Sequence, residues 1–317
     1  MARAFRFGVQ VGKLPADGWV ERVRRIEQLG YSTLFLPDHF GDQWEPATAS
    51  AAVAAVTERL NVGALVYDVD YRHPVVYAKS AATLQVLSRG RHEFGIGAGW
   101  MQTDYDQAGM QYDSPGTRIE RLEEAVKIIR SMWEQDSTTF EGKHYQVRGI
   151  ARATTDLPAG ARPRILIGGG GRRLLGVAGR HADIVGINPS IPEGRVTRET
   201  ARDVVPARVR EKIGWVRAAA AAAGRDPDQI EFNALVFVVA ITDDPTGIRN
   251  AVSQNTGMSV DEVADSPLFI TGSASEIRDR LEKRREETGI SYIVIQGVRE
   301  DLLESFAQHV VEPLAGR

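Results

Sequence analysis

The chain alternates short apolar runs with longer segments of helical periodicity, and this alternation constrains its fold more than any other feature. In the first helical segment, for example, Val20, Val23, Ile26 and Leu29 recur at the spacing of one helix face. Repeated strand–helix units with nearly continuous apolar strands indicate a parallel sheet that helices cover on both faces. The eight apolar runs begin at Phe5, Thr33, Asn61, His92, Arg164, Asp183, Glu231 and Ser291.

Eight strand–helix units in 317 residues predict an α/β fold of the (β/α)8 TIM-barrel type rather than an open, doubly wound sheet. We expect a single domain over residues 1–317, with insertions near residues 137–160, 189–200 and 242–266. In barrels of this type the functional groups lie just after the strands, at the carboxyl-terminal mouth. The segments that follow the apolar runs are therefore the candidates for chemistry.

Composition excludes several classes of function. The chain has no cysteine, which excludes disulfides, zinc ribbons, iron–sulfur clusters and thiol nucleophiles. Its formal net charge of −3 gives no global attraction to nucleic acid or to anionic membranes. The amino-terminal segment lacks the apolar core of a signal peptide, and no apolar run reaches the length of a membrane span. We expect a soluble, cytoplasmic protein with neither nucleic acid nor a membrane as partner.

A histidine directly follows the second predicted strand, in the sequence PDHF. His39 is there well placed to exchange protons near neutral pH. Because adjacent side chains on an extended segment point in opposite directions, Asp38 and His39 are not expected to pair; one faces the site and the other fixes the loop. Trp44 follows shortly and is a candidate wall for an aromatic ligand. The alternative is that His39 only caps nearby backbone groups.

The third predicted strand ends in an apolar stretch near Leu65 and Val66, which is suited to press against a flat ligand. Arg72 and His73 precede Pro74, and the residue before a proline favours an extended backbone. We therefore predict that these two side chains cap the third helix and contact solvent rather than a ligand.

The fourth predicted strand runs into small residues, in the sequence GIGAGW. Gly97, Ala98 and Gly99 allow a bulky planar group to approach the backbone closely. Trp100 and Asp104 follow as candidate substrate contacts, although Asp104 equally suits a simple loop turn. The pattern does not complete G-x-G-x-x-G, and the acidic ribose partner is missing, so a Rossmann dinucleotide site is rejected.

Four consecutive glycines separate the fifth predicted strand from the helix that follows it. Glycines tolerate positive φ and close approach, so their amides are able to converge on an anion at the helix N-terminus. A phosphate or sulfate-like anion is the sharper hypothesis, and a tight strand–helix turn is the simpler one. No Lys-Ser/Thr pair follows, so the turn is not a P-loop. The turn comprises Gly168, Gly169, Gly170 and Gly171, and Arg172 adds positive charge beside it.

Other catalytic classes lack their residues. The histidines form no H-x-H or H-E-x-x-H pattern, and no catalytic metal is therefore expected. No G-x-S-x-G supplies an acyl-transfer serine. No lysine ends a predicted barrel strand, which leaves Schiff-base chemistry unsupported.

Several segments, taken in their order, resemble the bacterial-luciferase-like superfamily, and within it the oxidoreductases that depend on the deazaflavin coenzyme F420. The resemblance covers almost the whole chain, and it is the combination of segments that is specific. It rests on PDHF, RHPVVYAKSAATLQVLSRGRHEFGIGAGW, RIERLEEAVKIIRSMW, FEGKHY, ILIGGGGRRLLGVAGRHADIVGIN and ITGSASEIRDRLEKRREETGISYIVI.

The resemblance implies a barrel that binds FMN or F420 at the carboxyl ends of its strands. It implies that the glycine turn holds the cofactor phosphate. It also implies that His39 approaches the redox ring and donates a proton, with Asp38 in the same motif. A cis peptide bond that does not precede proline is expected under the ring, between Leu65 and Val66.

The resemblance also bears on the substrate side of the mouth. Trp44 and Trp100 match aromatic walls. Relatives usually have glutamate in the loop after GAGW, and Asp104 stands in its place here, so the corresponding contact is shorter or absent. The insertions at residues 189–200 and 242–266 are expected to shape a lid over the substrate, whose identity they do not reveal.

The leading hypothesis is hydride transfer between F420 and an unidentified small organic substrate, with His39 transferring the proton. The first alternative is an FMN-dependent monooxygenase that uses reduced flavin and O2, since the same fold and phosphate cradle serve both. The second is a protein that binds a flavin or deazaflavin without turnover. We also expect a homodimer, because relatives often dimerise through helices beside strands two to four, where Ala47–Ala55 allows close packing.

Overall fold

The structure is a computed structural model that describes residues 3–157, 160–191, 193–194, 197–297 and 299–317. Eight of its strands run parallel and form a closed barrel, in which consecutive barrel strands are neighbours and the last strand pairs with the first. This arrangement confirms the predicted (β/α)8 architecture.

Thirteen strands are present in the part of the chain that the structure describes. The barrel consists of β1, β2, β3, β5, β8, β9, β10 and β13, and the short strand β4 pairs with β5 at the mouth. In chain order the strands are β1 (Arg6–Gln10), β2 (Thr33–Leu36), β3 (Asn61–Ala64), β4 (Tyr67–Asp68), β5 (His92–Gly97), β6 (Ser137–Glu141), β7 (Gln146–Ala151), β8 (Arg164–Gly169), β9 (Ile184–Ile187), β10 (Glu231–Val236), β11 (Val238–Ile241), β12 (Phe269–Gly272) and β13 (Ile290–Gln296).

Helices pack on the outer face of the barrel strands. Among the described residues, every helix is too short or too polar to cross a lipid bilayer. The helices are α1 (Trp19–Gln28), α2 (Pro46–Val56), α3 (Pro74–Leu87), α4 (Gln102–Ala108), α5 (Pro115–Glu134), α6 (Arg172–His181), α7 (Arg198–Arg202), α8 (Pro206–Ala222), α9 (Thr246–Thr256), α10 (Val260–Asp265), α11 (Ala274–Thr288), α12 (Glu300–Phe306) and α13 (Glu312–Leu314), with a 3-10 turn at Pro227–Gln229 and a π-helical turn at Ala307–Val311.

Local sequence signals set several helix ends. His73 caps α3, whose first residue is Pro74, by accepting a hydrogen bond from an amide of the first turn. Ser273 caps α11 by accepting from the amide of Glu276 at 3.3 Å. The spacing of Ser273 and Glu276 predicts a capping box, but the Glu276 carboxylate pairs with Arg249 at 2.8 Å instead. An ion pair between α9, which belongs to the third insertion, and α11 thus takes the place of a hydrogen bond within α11.

Two boundaries expected from the sequence are wrong. The apolar run EFNALVFVV predicts a seventh barrel strand from Glu231 to Val239, but the strand ends at Val236. Phe237 donates its amide to the carbonyl of Leu268 at 2.9 Å, and β11 then pairs with β12 outside the barrel. A continuous apolar run gives no signal for this break, because both sheets are apolar. The sequence also predicts a helix over residues 201–223, but this helix begins only at Pro206, since proline favours the first turn, and the short α7 precedes it.

The predicted insertions carry structure of their own. The first forms the antiparallel hairpin β6–β7, and the carboxylate of Glu124 on α5 accepts hydrogen bonds from three successive amides of its turn, Lys143 to Tyr145. The second lies at residues 189–200, of which 192, 195 and 196 are outside the described residues. The third contains α9 and α10.

The hydrophobic core has two parts. The larger part lies between the barrel strands and the surrounding helices. The smaller part fills the barrel itself, where side chains that point inward from different strands meet. A filled barrel leaves its two ends as the places where polar groups gather. The inner cluster consists of Phe35, Leu65, Leu166, Ile184, Tyr292 and Val294.

Paired charges close the amino-terminal end of the barrel. Arg6 bonds Glu93 at 2.7 Å and Glu231 at 2.9 Å, and Arg164 contacts Glu231 at 2.8 Å. The hydroxyl of Tyr292 donates to Glu93 at 2.9 Å, and the Arg6 guanidinium lies 3.9 Å from the centroid of the Tyr292 ring. Burial opposes the charge on Glu231, but the two arginines hold the pKa of that carboxyl below its usual value.

Candidate active site

His39 follows β2 at the barrel mouth and forms a pair with Asp104. His39 Nδ1 lies 2.6 Å from Asp104 Oδ2, and Tyr71 donates its hydroxyl to the same oxygen at 3.2 Å. An ionised carboxylate at Nδ1 favours the imidazole tautomer with its proton there, which leaves Nε2 as a proton acceptor. Trp100 stands edge-on to the imidazole at 5.7 Å between ring centroids. The pair has the geometry of a general acid or base and its orienting carboxylate.

Asp38 fixes the loop, and none of the described hydrogen bonds joins it to its neighbour His39. Its Oδ2 accepts a hydrogen bond from the amide of Asp68 at 3.1 Å. Burial raises the pKa of Asp38 to about 6, although the hydrogen bond from Asp68 opposes the shift. The structure therefore gives Asp38 a direct role in joining the segments after β2 and β3, and brings His39 rather than Asp38 to Asp104.

Asp68 is a second buried carboxyl behind this pair. It accepts hydrogen bonds from the hydroxyl of Tyr105 at 2.9 Å and from the amide of Asp70 at 3.0 Å. Burial, assisted by the charges of Asp70 and Asp38, raises the pKa of Asp68 to about 7, although the hydrogen bonds from the Asp70 amide and from Tyr105 oppose the shift. Because Tyr105 and Asp104 are neighbours on α4, Asp68 is connected through that helix to the residue that orients His39.

The small residues after β5 have a packing role. A Cβ atom on Gly97 would lie 2.7 Å from the Val66 side chain, and one on Gly99 would lie 2.0 Å from the Tyr105 hydroxyl. Gly99 also has a φ of +71°, which favours glycine. The carbonyl of Ala98 accepts from the buried Arg118 Nε at 3.1 Å. The sequence suggested that these glycines make room for a planar ligand. In the structure, the side chains of Val66 and Tyr105 occupy that space.

The peptide bond between Leu65 and Val66 is cis, as the resemblance implied. The Leu65 carbonyl accepts a hydrogen bond from Gln10 Nε2 at 2.6 Å. Gln10 is buried at the end of β1, and its own Oε1 accepts from Gln296 Nε2 at 2.9 Å. Two side-chain amides from neighbouring strands therefore hold the backbone between β3 and β4 in place.

The four glycines link β8 to α6, and none of them uses the positive φ that glycine permits. A Cβ atom on Gly170 would lie 2.2 Å from the backbone of Pro189 and Ser190. One on Gly169 would lie 2.6 Å from the Leu174 side chain. Close packing against the loop after β9 and against α6 thus accounts for these two glycines without a ligand.

The remaining two glycines lie near side-chain donors. The position of a Cβ on Gly168 is 3.0 Å from Asn188 Nδ2, and that on Gly171 is 3.4 Å from Ser190 Oγ. Gly171 is the N-cap of α6 and has no side chain to bond the first-turn amides. The N-terminus of α6, with a hydroxyl beside Gly171 and an amide side chain beside Gly168, has donors of the kind that a phosphate group accepts from.

A buried lysine holds the loop after β9 from behind. Lys212 is fully buried, and its Nζ donates to the carbonyl of Asn188 at 2.8 Å and to Asp203 Oδ2 at 2.5 Å. The same Asp203 oxygen accepts from the amide of Ser190 at 2.8 Å. Burial lowers the pKa of Lys212, and Asp203 opposes that shift. The loop therefore presents Asn188 and Ser190 to the glycine turn in a fixed position.

The other predicted site residues are less closely connected with His39. The guanidinium of Arg172 lies 6.0 Å from the centroid of the Trp215 ring, on the exposed side of α6. Trp44 is half-buried at the edge of the main core, and its amide donates to the carbonyl of Gly12 at 2.9 Å. Of the two predicted aromatic walls, the structure places Trp100 in contact with the imidazole.

Five residues with contacts in or near the site were not predicted from the sequence. Gln10, Asp68 and Asn188 each end or directly follow a strand at the mouth. The expectation that functional groups lie at the carboxyl ends of barrel strands, which predicted His39, therefore applies to them as well. Tyr71 and Tyr105 carried no such signal, because their importance comes from contacts with Asp residues far from them in sequence.

Comparison with known proteins agrees with this architecture. A sequence model described as "Luciferase-like monooxygenase" matches residues 4–255. The F420-dependent glucose-6-phosphate dehydrogenase of Intrasporangium calvum is 26% identical over 328 residues, which cover 94% of this chain and 94% of the relative. A phthiodiolone/phenolphthiodiolone dimycocerosates ketoreductase of Mycobacterium sp. is 33% identical over 299 residues, which cover 84% of this chain and 70% of the relative.

A solved structure shares the fold at lower identity. The coenzyme F420-dependent tetrahydromethanopterin reductase of Methanopyrus kandleri superposes with a TM-score of 0.73 and 17% identity, covering 98% of this chain and 100% of that one. The resemblance drawn from the motifs is confirmed by the family match, which spans most of the sequence from β1 to α9. The chain belongs to the luciferase-like monooxygenase family.

Proposed function

We propose that the protein is an oxidoreductase that transfers a hydride between coenzyme F420 and a small organic substrate. The observation that carries the proposal is the pair of His39 and Asp104, 2.6 Å apart at the barrel mouth. Oxidation of an alcohol, or reduction of a carbonyl, moves a proton together with the hydride, and an imidazole oriented by a carboxylate suits that proton. Two similar proteins are an F420-dependent dehydrogenase and a ketoreductase, which supports the same class of reaction.

The residues of the mouth fit a phosphate-bearing cofactor. The amides at the start of α6, with Asn188 and Ser190, form a cradle for its phosphate, while Lys212 keeps the cradle in shape from behind. Gly168 and Gly171 leave this cradle open, since a side chain on either would enter it. The cofactor, when bound, would accept or donate the hydride at the deazaflavin C5 position, according to the direction of the reaction.

The protein itself manages the proton. His39 Nε2 takes a proton from the reacting hydroxyl group, or returns one to a carbonyl, and Asp104 stabilises the imidazolium that forms. Tyr71 holds the Asp104 carboxylate, and Trp100 restricts the imidazole ring. Trp44, Trp100 and Asp104 are proposed to contact the substrate.

Cofactor binding is the first test. Equilibrium binding of F420 and of FMN is measured side by side with the native protein and with Gly171→Asp. Aspartate is a good N-cap, so this change keeps α6 while a carboxylate occupies the cradle, and we expect affinity for F420 to fall at least about tenfold. Gly176→Asp, inside the same helix, is the matched control. Equal binding by native protein and Gly171→Asp would show that the cradle does not hold the cofactor.

Replacement of His39 is the second test. His39→Ala is expected to lower turnover by roughly 10²–10⁴-fold, the usual contribution of a general acid or base, with cofactor affinity unchanged. His73→Ala serves as control, because His73 caps α3 and takes no part in the proposed proton transfer. Turnover that survives His39→Ala would remove the proposed role.

The FMN-dependent monooxygenase remains the second candidate, and the description of the matching family favours it. The two activities differ in the use of O2, since a deazaflavin lacks the ring nitrogen that supports oxygen chemistry. Tight FMN binding with substrate-dependent oxygen consumption would replace the F420 proposal. Tight binding of either cofactor without turnover of any substrate would indicate a binding protein.

We also infer that each chain forms a single domain and that two chains associate as a homodimer. We infer a cytoplasmic location for this dimer. Exposed apolar side chains support an interface beside the second to fourth barrel strands, β2, β3 and β5. Phe40 is 47% exposed, with its ring centroid 4.4 Å from that of Tyr71, and Val76 on α3 is 52% exposed. Light scattering at micromolar concentration tests the dimer, and Val76→Asp is expected to weaken it. A monomer at that concentration would contradict the inference.

A further inference from the structure

A cationic crevice lies outside the barrel, between α8, α11 and the segment that joins α10 to β12. Its volume is about 240 Å³, and none of the residues assigned above to the mouth lines it. Four cationic side chains face two carboxylates there, which leaves an excess of two positive charges. The charged residues of the crevice are Arg210, Arg280, Lys283, Arg284, Asp265 and Glu287.

Arg284 is the unusual member of this set. It is only 7% exposed, and its Nη2 donates to the carbonyl of Ser266 at 2.9 Å. Within the described part of the chain, its Nε and Nη1 atoms are buried without a hydrogen-bond partner. Unpaired donors on a buried guanidinium are costly, so such a group usually has a counter-ion or a bound acceptor. Burial lowers the pKa of Arg284 to about 10, which agrees with a charge that lacks a close partner.

The two carboxylates of the crevice are already engaged by other cations. Asp265 pairs with Arg280, and Glu287 lies 3.7 Å from Arg210 and 3.9 Å from Lys283. Neither carboxylate forms one of the described ion pairs with Arg284. The unsatisfied donors therefore call for an acceptor from outside the chain.

We propose that this crevice binds a phosphate group, either as inorganic phosphate or as a phosphate monoester. A phosphate dianion matches the excess of two positive charges, and its oxygens supply several acceptors for guanidinium donors. A single carboxylate would leave half of that excess unbalanced. The site is separate from the glycine turn and does not depend on the function proposed above.

The test is calorimetric titration with inorganic phosphate at constant ionic strength, in the Gly171→Asp protein. That background closes the glycine turn, so the remaining binding reports the crevice. We expect about one phosphate per chain, and Arg284→Met in the same background is expected to weaken binding about tenfold, or 1.4 kcal/mol at 25 °C. Phosphate binding that Gly171→Asp alone abolishes, or that Arg284→Met leaves unchanged, would overturn the proposal.

Rim variants keep the test decisive if Arg284→Met does not fold. Arg210→Gln and Lys283→Gln each remove one cation from the crevice and are expected to weaken phosphate binding several-fold. Arg217→Gln removes an exposed cation of the same helix α8 that does not line the crevice, and it should have no effect. Equal losses in all three variants would show only a general charge effect and would contradict a specific site. To separate the two phosphate sources, a sugar phosphate is titrated in parallel.

Discussion

The two ends of the barrel use buried charge in opposite ways. At the amino-terminal end, Glu231 lies between Arg6 and Arg164, which hold its pKa below the usual value. At the mouth, Asp38 and Asp68 receive hydrogen bonds from an amide or a hydroxyl, and burial raises their pKa to about 6 and about 7. Charge therefore strengthens the closed end, while the mouth retains groups that titrate near neutral pH, as reacting sites often do.

The difference gives the two ends opposite responses to pH. A carboxyl with a lowered folded pKa, such as Glu231, contributes stability above its unfolded value, and this stability is lost as pH falls through the folded pKa. A carboxyl with a raised folded pKa contributes stability below its unfolded value, near 4, and this is lost as pH rises through the folded value. For Asp38 and Asp68 that loss extends to about pH 6 and about pH 7.

The largest expected effect comes from breaking the closed end. Arg6→Met leaves Glu93 and Glu231 buried with reduced compensation, and we expect the free energy of unfolding to fall by about 3–5 kcal/mol. Chemical denaturation measures the loss. Arg299→Met removes an arginine from an exposed pair with Asp301 and should leave the free energy of unfolding nearly unchanged. Similar values for the two variants would remove the distinction between the two kinds of charge.

The second prediction separates catalysis from stability at the mouth. Asp104→Asn keeps the size of the side chain but removes the charge beside His39, and turnover is expected to fall by about 10- to 100-fold. Cofactor affinity and melting temperature should stay close to the native values, because the contacts of α4 remain. Asp106→Asn, on the exposed side of the same helix, is the control. A loss of melting temperature in proportion to activity would instead indicate a structural role for Asp104.

The third prediction tests the titration of the mouth. Asp68→Asn keeps an oxygen for Tyr105 and removes the ionisable group, so it removes the cost of burying the charged form. A rise of about three pKa units corresponds to roughly 4 kcal/mol, so native protein should lose up to about that much stability relative to the variant between pH 4 and pH 8. Urea denaturation across that range measures the difference, with the exposed Asp17→Asn as control. Parallel stability curves for native protein and Asp68→Asn would contradict the shift.

The sequence was sufficient for the barrel, because strand and helix periodicity depend on local patterns, and for His39, because the barrel rule links strand ends to the mouth. From the alternation of an extended chain it predicted that Asp38 and His39 do not pair, and the two side chains bond different partners. It did not predict that Asp104 pairs with His39, 65 residues away, since this depends on how α4 packs over the mouth. Asp104 was expected only as a substrate contact or a turn residue.

The glycine turn shows the same limit. The run of four glycines indicated an anion site. Two of them, however, allow close packing against segments whose proximity the sequence does not reveal. The role of Gly170 follows from the position of the Pro189 backbone, and that of Gly169 from the position of the Leu174 side chain. Neither position can be read from the sequence. The break between β10 and β11 was missed for a related reason, because both sides of Phe237 are apolar.

The buried Lys212 has a consequence for engineering new specificity into this barrel. Together with Asp203 it anchors the backbone of Asn188 and Ser190, where the insertion at residues 189–200 begins. A chimera that exchanges part of this insertion should therefore leave residues 188–190, 203 and 212 in place and graft between residues 191 and 197. We expect such a chimera to keep Asn188 and Ser190 in position beside the glycine turn.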